Sequence, residues 1–100
     1  MLDIIKKRLH EIICLFLEEE ISYNDIANFT QLIAPISDVC DMTDALTIDA
    51  YMSMWHSSEK YCEVPKEELI YYKKCFEGNE IFSRETRDLI IRQAFDNRRK

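Results

Sequence analysis

Two histidines, four cysteines and a run of closely grouped carboxylates are the side chains here that could form a site. His10 and His56 each lack a catalytic neighbour in sequence, and Cys62 could meet His56 as a nucleophile pair only through folding. The sequence has no glycine-rich loop, no G-x-S-x-G and no H-E-x-x-H. Cys14, Cys40, Cys62 and Cys75 form no C-x-x-C pair, whereas zinc sites usually take their cysteines in close pairs. Asp38, Asp41, Asp44 and Asp49 are spaced by three, three and five. A calcium loop takes ligands at alternate positions and turns on a glycine that is missing here. No catalytic residue, metal or cofactor is assigned. The chain reads as a binding protein, not an enzyme.

The stronger signal is charge. The net charge of −6 is unevenly spread: residues Glu18 to Glu68 hold twelve acids against Lys60 and Lys66, a net of −10. The first seventeen residues carry +1 and Leu69 to Lys100 carry +3. Such a block repels itself and adds nothing to a core. Its plain reading is a solvated face that keeps the protein soluble, and its functional reading is a surface for a basic partner. Proteins that bind nucleic acid offer such partners, because they must neutralise phosphates. Direct nucleic-acid binding by the block itself is disfavoured. Arg84, Arg87 and Arg92 are diluted by Glu85 and Asp88.

The elements that must hold these charges read as helices. Ile5, Leu9, Ile12, Ile13 and Phe16 fall at helical spacing, predicting a helix from about Leu2 to Glu20. Ser22, with Asp25 three residues on, predicts a capped start to a helix from Tyr23 to about Ile33, carrying Ile26, Phe29 and Ile33. Pro35 ends it. Residues 36–42 read as a connection. Thr43 is the expected N-cap of a helix from Asp44 to about Ser57, although Thr47, Ile48 and Tyr51 also suit a strand. Pro65 fits the first position of the next helix, with Glu67 and Glu68 in its first turn, Lys73 and Lys74 near its end, and Gly78 as its stop. Tyr71 and Tyr72 are adjacent, so one of them is expected at the surface. Trp55 is expected in the core. Ser83 predicts the cap of a last helix to about Asn97, anchored by Leu89, Ile90 and Phe95.

Only one glycine and two prolines supply turns, which favours helices over hairpins. The expected fold is all-α, an antiparallel bundle of four main helices plus a fifth, shorter one. It forms one domain over residues 1–97 with a basic tail at 98–100. The apolar run from Ile12 to Leu17 is too short to span a bilayer, and the first residues lack a signal-peptide pattern. The expected location is the cytoplasm, with reduced cysteines; a disulfide scaffold is the alternative.

Three stretches resemble the colicin D immunity protein family, which includes immunity proteins of contact-dependent inhibition systems. Leu15-Phe16-Leu17-Glu18-Glu19-Glu20-Ile21-Ser22, followed by Ile26 and Phe29, is similar to the family's opening helix and turn. Leu46-Thr47-Ile48-Asp49-Ala50-Tyr51 is similar to its third helix, and Ile81-Phe82-Ser83-Arg84-Glu85-Thr86-Arg87 to the opening of its last. Glu67-Glu68-Leu69-Ile70 adds a helix the family lacks. The resemblance implies an immunity protein that plugs the basic active site of a cognate toxin, typically a tRNA-cleaving nuclease. On that expectation Asp41, Asp44, Asp49, Glu59, Glu63 and Tyr61 form the partner-binding set. The alternatives are an acidic adaptor or antirepressor bound to a DNA-binding protein, and a small secretion chaperone using apolar grooves.

Overall fold

In a computed structural model, which describes residues 2–33, 39, 44–59 and 63–98, the chain is an all-α bundle. Five helices occur among the described residues: α1 (Leu2–Leu17), α2 (Tyr23–Ile33), α3 (Ala45–Trp55), α4 (Lys66–Phe76) and α5 (Arg84–Arg98). The segment with mixed helix and strand propensity, Thr47 to Tyr51, is helical within α3. α1 packs against α2, α3 and α4, α3 also touches α2 and α4, and α5 lies on α4.

The core follows from the apolar spacing of α1. Ile5, Leu9, Ile12 and Ile13 meet Ile26 of α2, Ala50, Tyr51 and Met54 of α3, and Leu69 and Tyr72 of α4, with Val39 and Val64 closing the cluster. Full burial of one such Ile or Leu contributes roughly 1.5–3 kcal/mol. Phe16, Trp55 and Phe76 pack at its edge while remaining partly exposed. Cys14 and Cys75 are free thiols, and Cys40 and Cys62 lie outside the described residues.

Local chemistry sets most helix ends. At α2 the Ser22 amide donates to Asp25 (3.0 Å) and the Asp25 amide to Ser22 Oγ (3.3 Å), the reciprocal capping box. Ser83 Oγ accepts from the Thr86 amide at α5 (3.4 Å). The α3 cap differs from expectation: Asp44, not Thr43, takes the role by accepting from the Thr47 amide at 3.1 Å. Pro65 stands just outside α4 as its N-cap, one position earlier than its spacing suggested. α4 stops at Gly78 (φ +79), where the Gly78 and Asn79 amides return to the carbonyls of Cys75 and Lys74. α1 ends at Leu17 with the same hydrogen-bond pattern, but the left-handed residue is Glu19 (φ 62).

Two expectations about side-chain direction are overturned. Tyr71 and Tyr72 are both buried, because α4 is covered on two sides. Tyr72 faces the core, whereas Tyr71 lies under the chain leading into α5. Its hydroxyl donates to the Ile81 carbonyl (3.2 Å) and accepts from the Ser83 amide (2.9 Å). Phe82 wedges beside both rings. Conversely, Leu89 and Phe95 do not anchor α5. Both are exposed, and the buried residue of that helix is Ala94. Phe29 is also exposed, since no described element lies over the outer edge of α2.

A left-handed backbone costs a residue with a Cβ roughly 1–2 kcal/mol. Glycine would remove that cost and return about 0.4–1 kcal/mol through its freer unfolded chain. Glu19→Gly should therefore raise the unfolding free energy by about 0.5–1 kcal/mol in urea denaturation, with the slope unchanged.

Candidate functional site

The expected binding carboxylates divide into two groups. Asp49, on α3, is nearly buried at 12% side-chain exposure and is held by two arginines of α5. Arg84 donates from Nε (2.8 Å) and Nη2 (3.2 Å), and Arg87 donates from Nη1 to Asp49 Oδ2 at 3.0 Å. Arg87 also pairs with Asp88 at 3.0 Å. Asp44 is likewise engaged inside the fold, through its cap to Thr47 and an ion pair with Lys6 at 3.5 Å. Burial pulls the Asp44 pKa up, but hydrogen bonds from Thr47 and the nearby Lys6 ammonium outweigh it and hold it below the usual value. Both aspartates serve the scaffold first.

Beyond the C-terminal end of α3 the picture changes. His56 Nδ1 lies 2.9 Å from Glu59 Oε1, and Glu63 is exposed with no ion pair to another described residue. Glu67, also exposed, has none either. Glu63 sits on the rim of a groove of about 390 Å³ between the end of α3, the start of α4 and the outer half of α5. Met52, Val64, Pro65, Ile91 and Phe95 give it apolar walls, while Ser53, His56, Glu63 and Glu68 supply the polar groups. Asp41 and Tyr61, the other two expected contacts, lie outside the described residues.

Glu68 is the residue that sequence reasoning misplaced. Its position in the first turn of α4 suggested a solvated partner of the helix dipole, yet it is 3% exposed. It accepts a short hydrogen bond from the Tyr72 hydroxyl, which Ser53 Oγ also approaches at 3.3 Å. Burial raises the Glu68 pKa, and the hydrogen bonds from Tyr72 and Ser53 and the charge of Arg87 only partly offset this. Burial also pushes the Tyr72 hydroxyl far up, reinforced by the Glu68 charge. The available signal was spacing: Glu68 is four residues before Tyr72, on the face that enters the core.

Two further features lie elsewhere. At the α1–α4 seam, His10 Nε2 and Lys73 Nζ each stand 2.8 Å from Glu77 Oε2, and Cys14 Sγ is 3.7 Å from the same His10 nitrogen. Burial pushes the Cys14 thiol up, away from the reactive thiolate. One nitrogen serves both contacts, so no relay runs from the carboxylate through the imidazole to the thiol. Among the described residues no group of three or more potential ligands could hold a metal ion. Between α1 and α2 runs an apolar groove of about 530 Å³, walled by Ile4, Ile12, Leu15, Phe29, Leu32 and Ile33, with Leu32 82% exposed. No described helix is long and apolar enough to cross a membrane.

Comparison with protein-family models, curated proteins and solved structures finds no match. The reading of this surface rests on its chemistry.

Two measurements probe the buried charges. Removing the Asp49 carboxylate takes the acceptor from Arg84 and leaves the largely covered Arg87 with Asp88 as its remaining ion-pair partner. Asp49→Ala should cost about 1–3 kcal/mol and speed amide exchange through Arg84–Arg98 more than in α1. For Glu68 the folded pKa lies above the ordinary 4.5, so the folded state binds the proton more tightly than the unfolded one. That stabilisation is complete below the unfolded value and lost as pH rises through the folded value. Glu68→Gln, which cannot ionise, should flatten this decline in unfolding free energy above pH 4.5.

Proposed function

We propose that this chain is an immunity-type inhibitor, which binds a basic protein through the acidic rim beyond α3 and covers that protein's phosphate-binding site. A nuclease toxin domain acting on RNA, of the tRNA-cleaving kind, is the partner that fits. The observation that carries the reading is the position of Glu63 and Glu67, exposed and unpaired among the described residues, beside the Glu59–His56 pair. Carboxylates without internal cations create an outward field that accelerates encounter with a cationic surface. A toxin site that holds phosphates must be cationic, and acidic side chains can occupy the phosphate positions. The resemblance of the α1–α2 turn, α3 and the opening of α5 to the colicin D immunity family points the same way.

A second reading has one observation in its favour. The α1–α2 groove, with Phe29 and Leu32 exposed, would suit a chaperone that shields an apolar segment of a client. Salt separates the two, since an electrostatically steered complex loses on-rate as ionic strength rises and an apolar groove is much less affected.

The direct test is to look beside this gene for a reading frame that ends in a basic nuclease domain, whose absence would count against the reading, and to co-express that domain with this chain. Wild type should restore growth. The double reversal Glu59→Lys/Glu63→Lys should abolish protection and lower the association rate by about tenfold or more at low salt. Its unfolding midpoint should stay near that of wild type, because neither carboxylate is buried. Full protection by a folded double variant would reject this site.

A further inference from the structure

We propose that the groove between the end of α3, the start of α4 and the outer half of α5 is a socket for a single arginine side chain presented by the protein partner. This deepens the reading of the chain as a binder of a basic protein and rests on it. The groove is mixed in a particular way. Met52, Ile91 and Phe95 offer apolar contact for the methylenes and flat faces of a guanidinium, and Glu63 stands at the rim with a carboxylate that has no ion pair among the described residues. Its volume of about 390 Å³ lies at the low end of the range for small-ligand sites, enough for one long side chain but not for a helix.

Arginine fits better than lysine for two reasons. Its planar, weakly hydrated head stacks on aromatic faces and gives several donors in a fixed fork, whereas an ammonium holds its water more tightly. The chain also contains a working example. Its own Arg98 places a guanidinium 5.8 Å from the centre of the Phe95 ring, in reach of the Tyr23 hydroxyl, which also feels the charges of Glu63 and Glu67. A guanidinium is therefore already accommodated beside this wall. Behind the groove, Glu68 is buried close to Asp49, and burial costs its charged form more than its hydrogen bonds return. A cation entering the groove would relieve that deficit and be held by it, which a flat acidic surface could not do.

The test uses the full chain and defined peptides. Isotope-labelled protein is titrated at low salt with N-acetyl-Gly-Arg-Gly-amide and with the same peptide carrying citrulline, which keeps the shape and loses the charge. A lysine peptide is the third ligand. The arginine peptide should shift the amide signals of residues 52–56, 63–68 and 91–95, and the citrulline and lysine peptides should bind roughly tenfold more weakly. Glu63→Gln should weaken arginine binding, and Glu68→Gln should weaken it further. If Glu68→Gln fails to fold, Glu63→Gln alone decides. Equal binding of citrulline or lysine, shifts centred elsewhere such as Glu18–Glu20, or no shift at all would overturn the socket. Should it fall while Glu59→Lys/Glu63→Lys still abolishes protection, the inhibitor reading survives without it. If that double variant protects fully, the failure belongs to the inhibitor reading.

Discussion

Asp49 links α3 to α5, and the arrangement of the outer half of the molecule depends on that link. α5 has little apolar surface to bury; it keeps Ala94 covered and leaves Leu89 and Phe95 in solvent. Its attachment to α4 comes through Phe82 and the Tyr71 hydroxyl at its start. Its attachment to α3 comes through one carboxylate shared by Arg84 and Arg87. A nearly buried ion pair of this kind gains little over an apolar contact but is expensive to break from one side. It fixes direction more than it adds stability. α5 is set so that Ile91 and Phe95 face Met52 and Val64 across a gap.

The same interaction changes how the acidic segment should be understood. Counted along the chain, the segment is a uniform block of negative charge. In the fold it separates into carboxylates already engaged and carboxylates facing outward. Asp44 and Asp49 belong to the first kind, with cap, lysine and arginine partners. Glu63 and Glu67 belong to the second. Glu68 belongs to neither, being buried with hydroxyl partners and a raised pKa. The outward field is therefore smaller than the formal charge suggests, and among the described residues it is carried at two places, Glu18–Glu20 after α1 and Glu63 with Glu67 at the start of α4.

What the sequence revealed and what it hid follow a physical divide. Ser22 with Asp25, Ser83 and Gly78 marked helix ends correctly, because a cap depends on residues only a few positions apart. The spacing of α1 located its core stripe for the same reason. Asp49 read as a free carboxylate because its partners lie 35 and 38 residues away, and nothing in local spacing announces them. Leu89 and Phe95 read as anchors because periodicity shows that a helix has an apolar face without showing whether another element covers it. Tyr71 erred in the opposite sense, since its cover is the chain that follows Gly78 and turns back over α4.

The modest burial of α5 has one more consequence. Because the principal core is assembled from α1 to α4, residues at the outward positions of the last helix can be exchanged with little effect on the packing beneath them. One side of the groove is thus free to drift in shape while the opposite side, built on α3 and α4, stays fixed by the interior. A lineage could reshape this groove by editing a few codons of the last helix, leaving the architecture as it was.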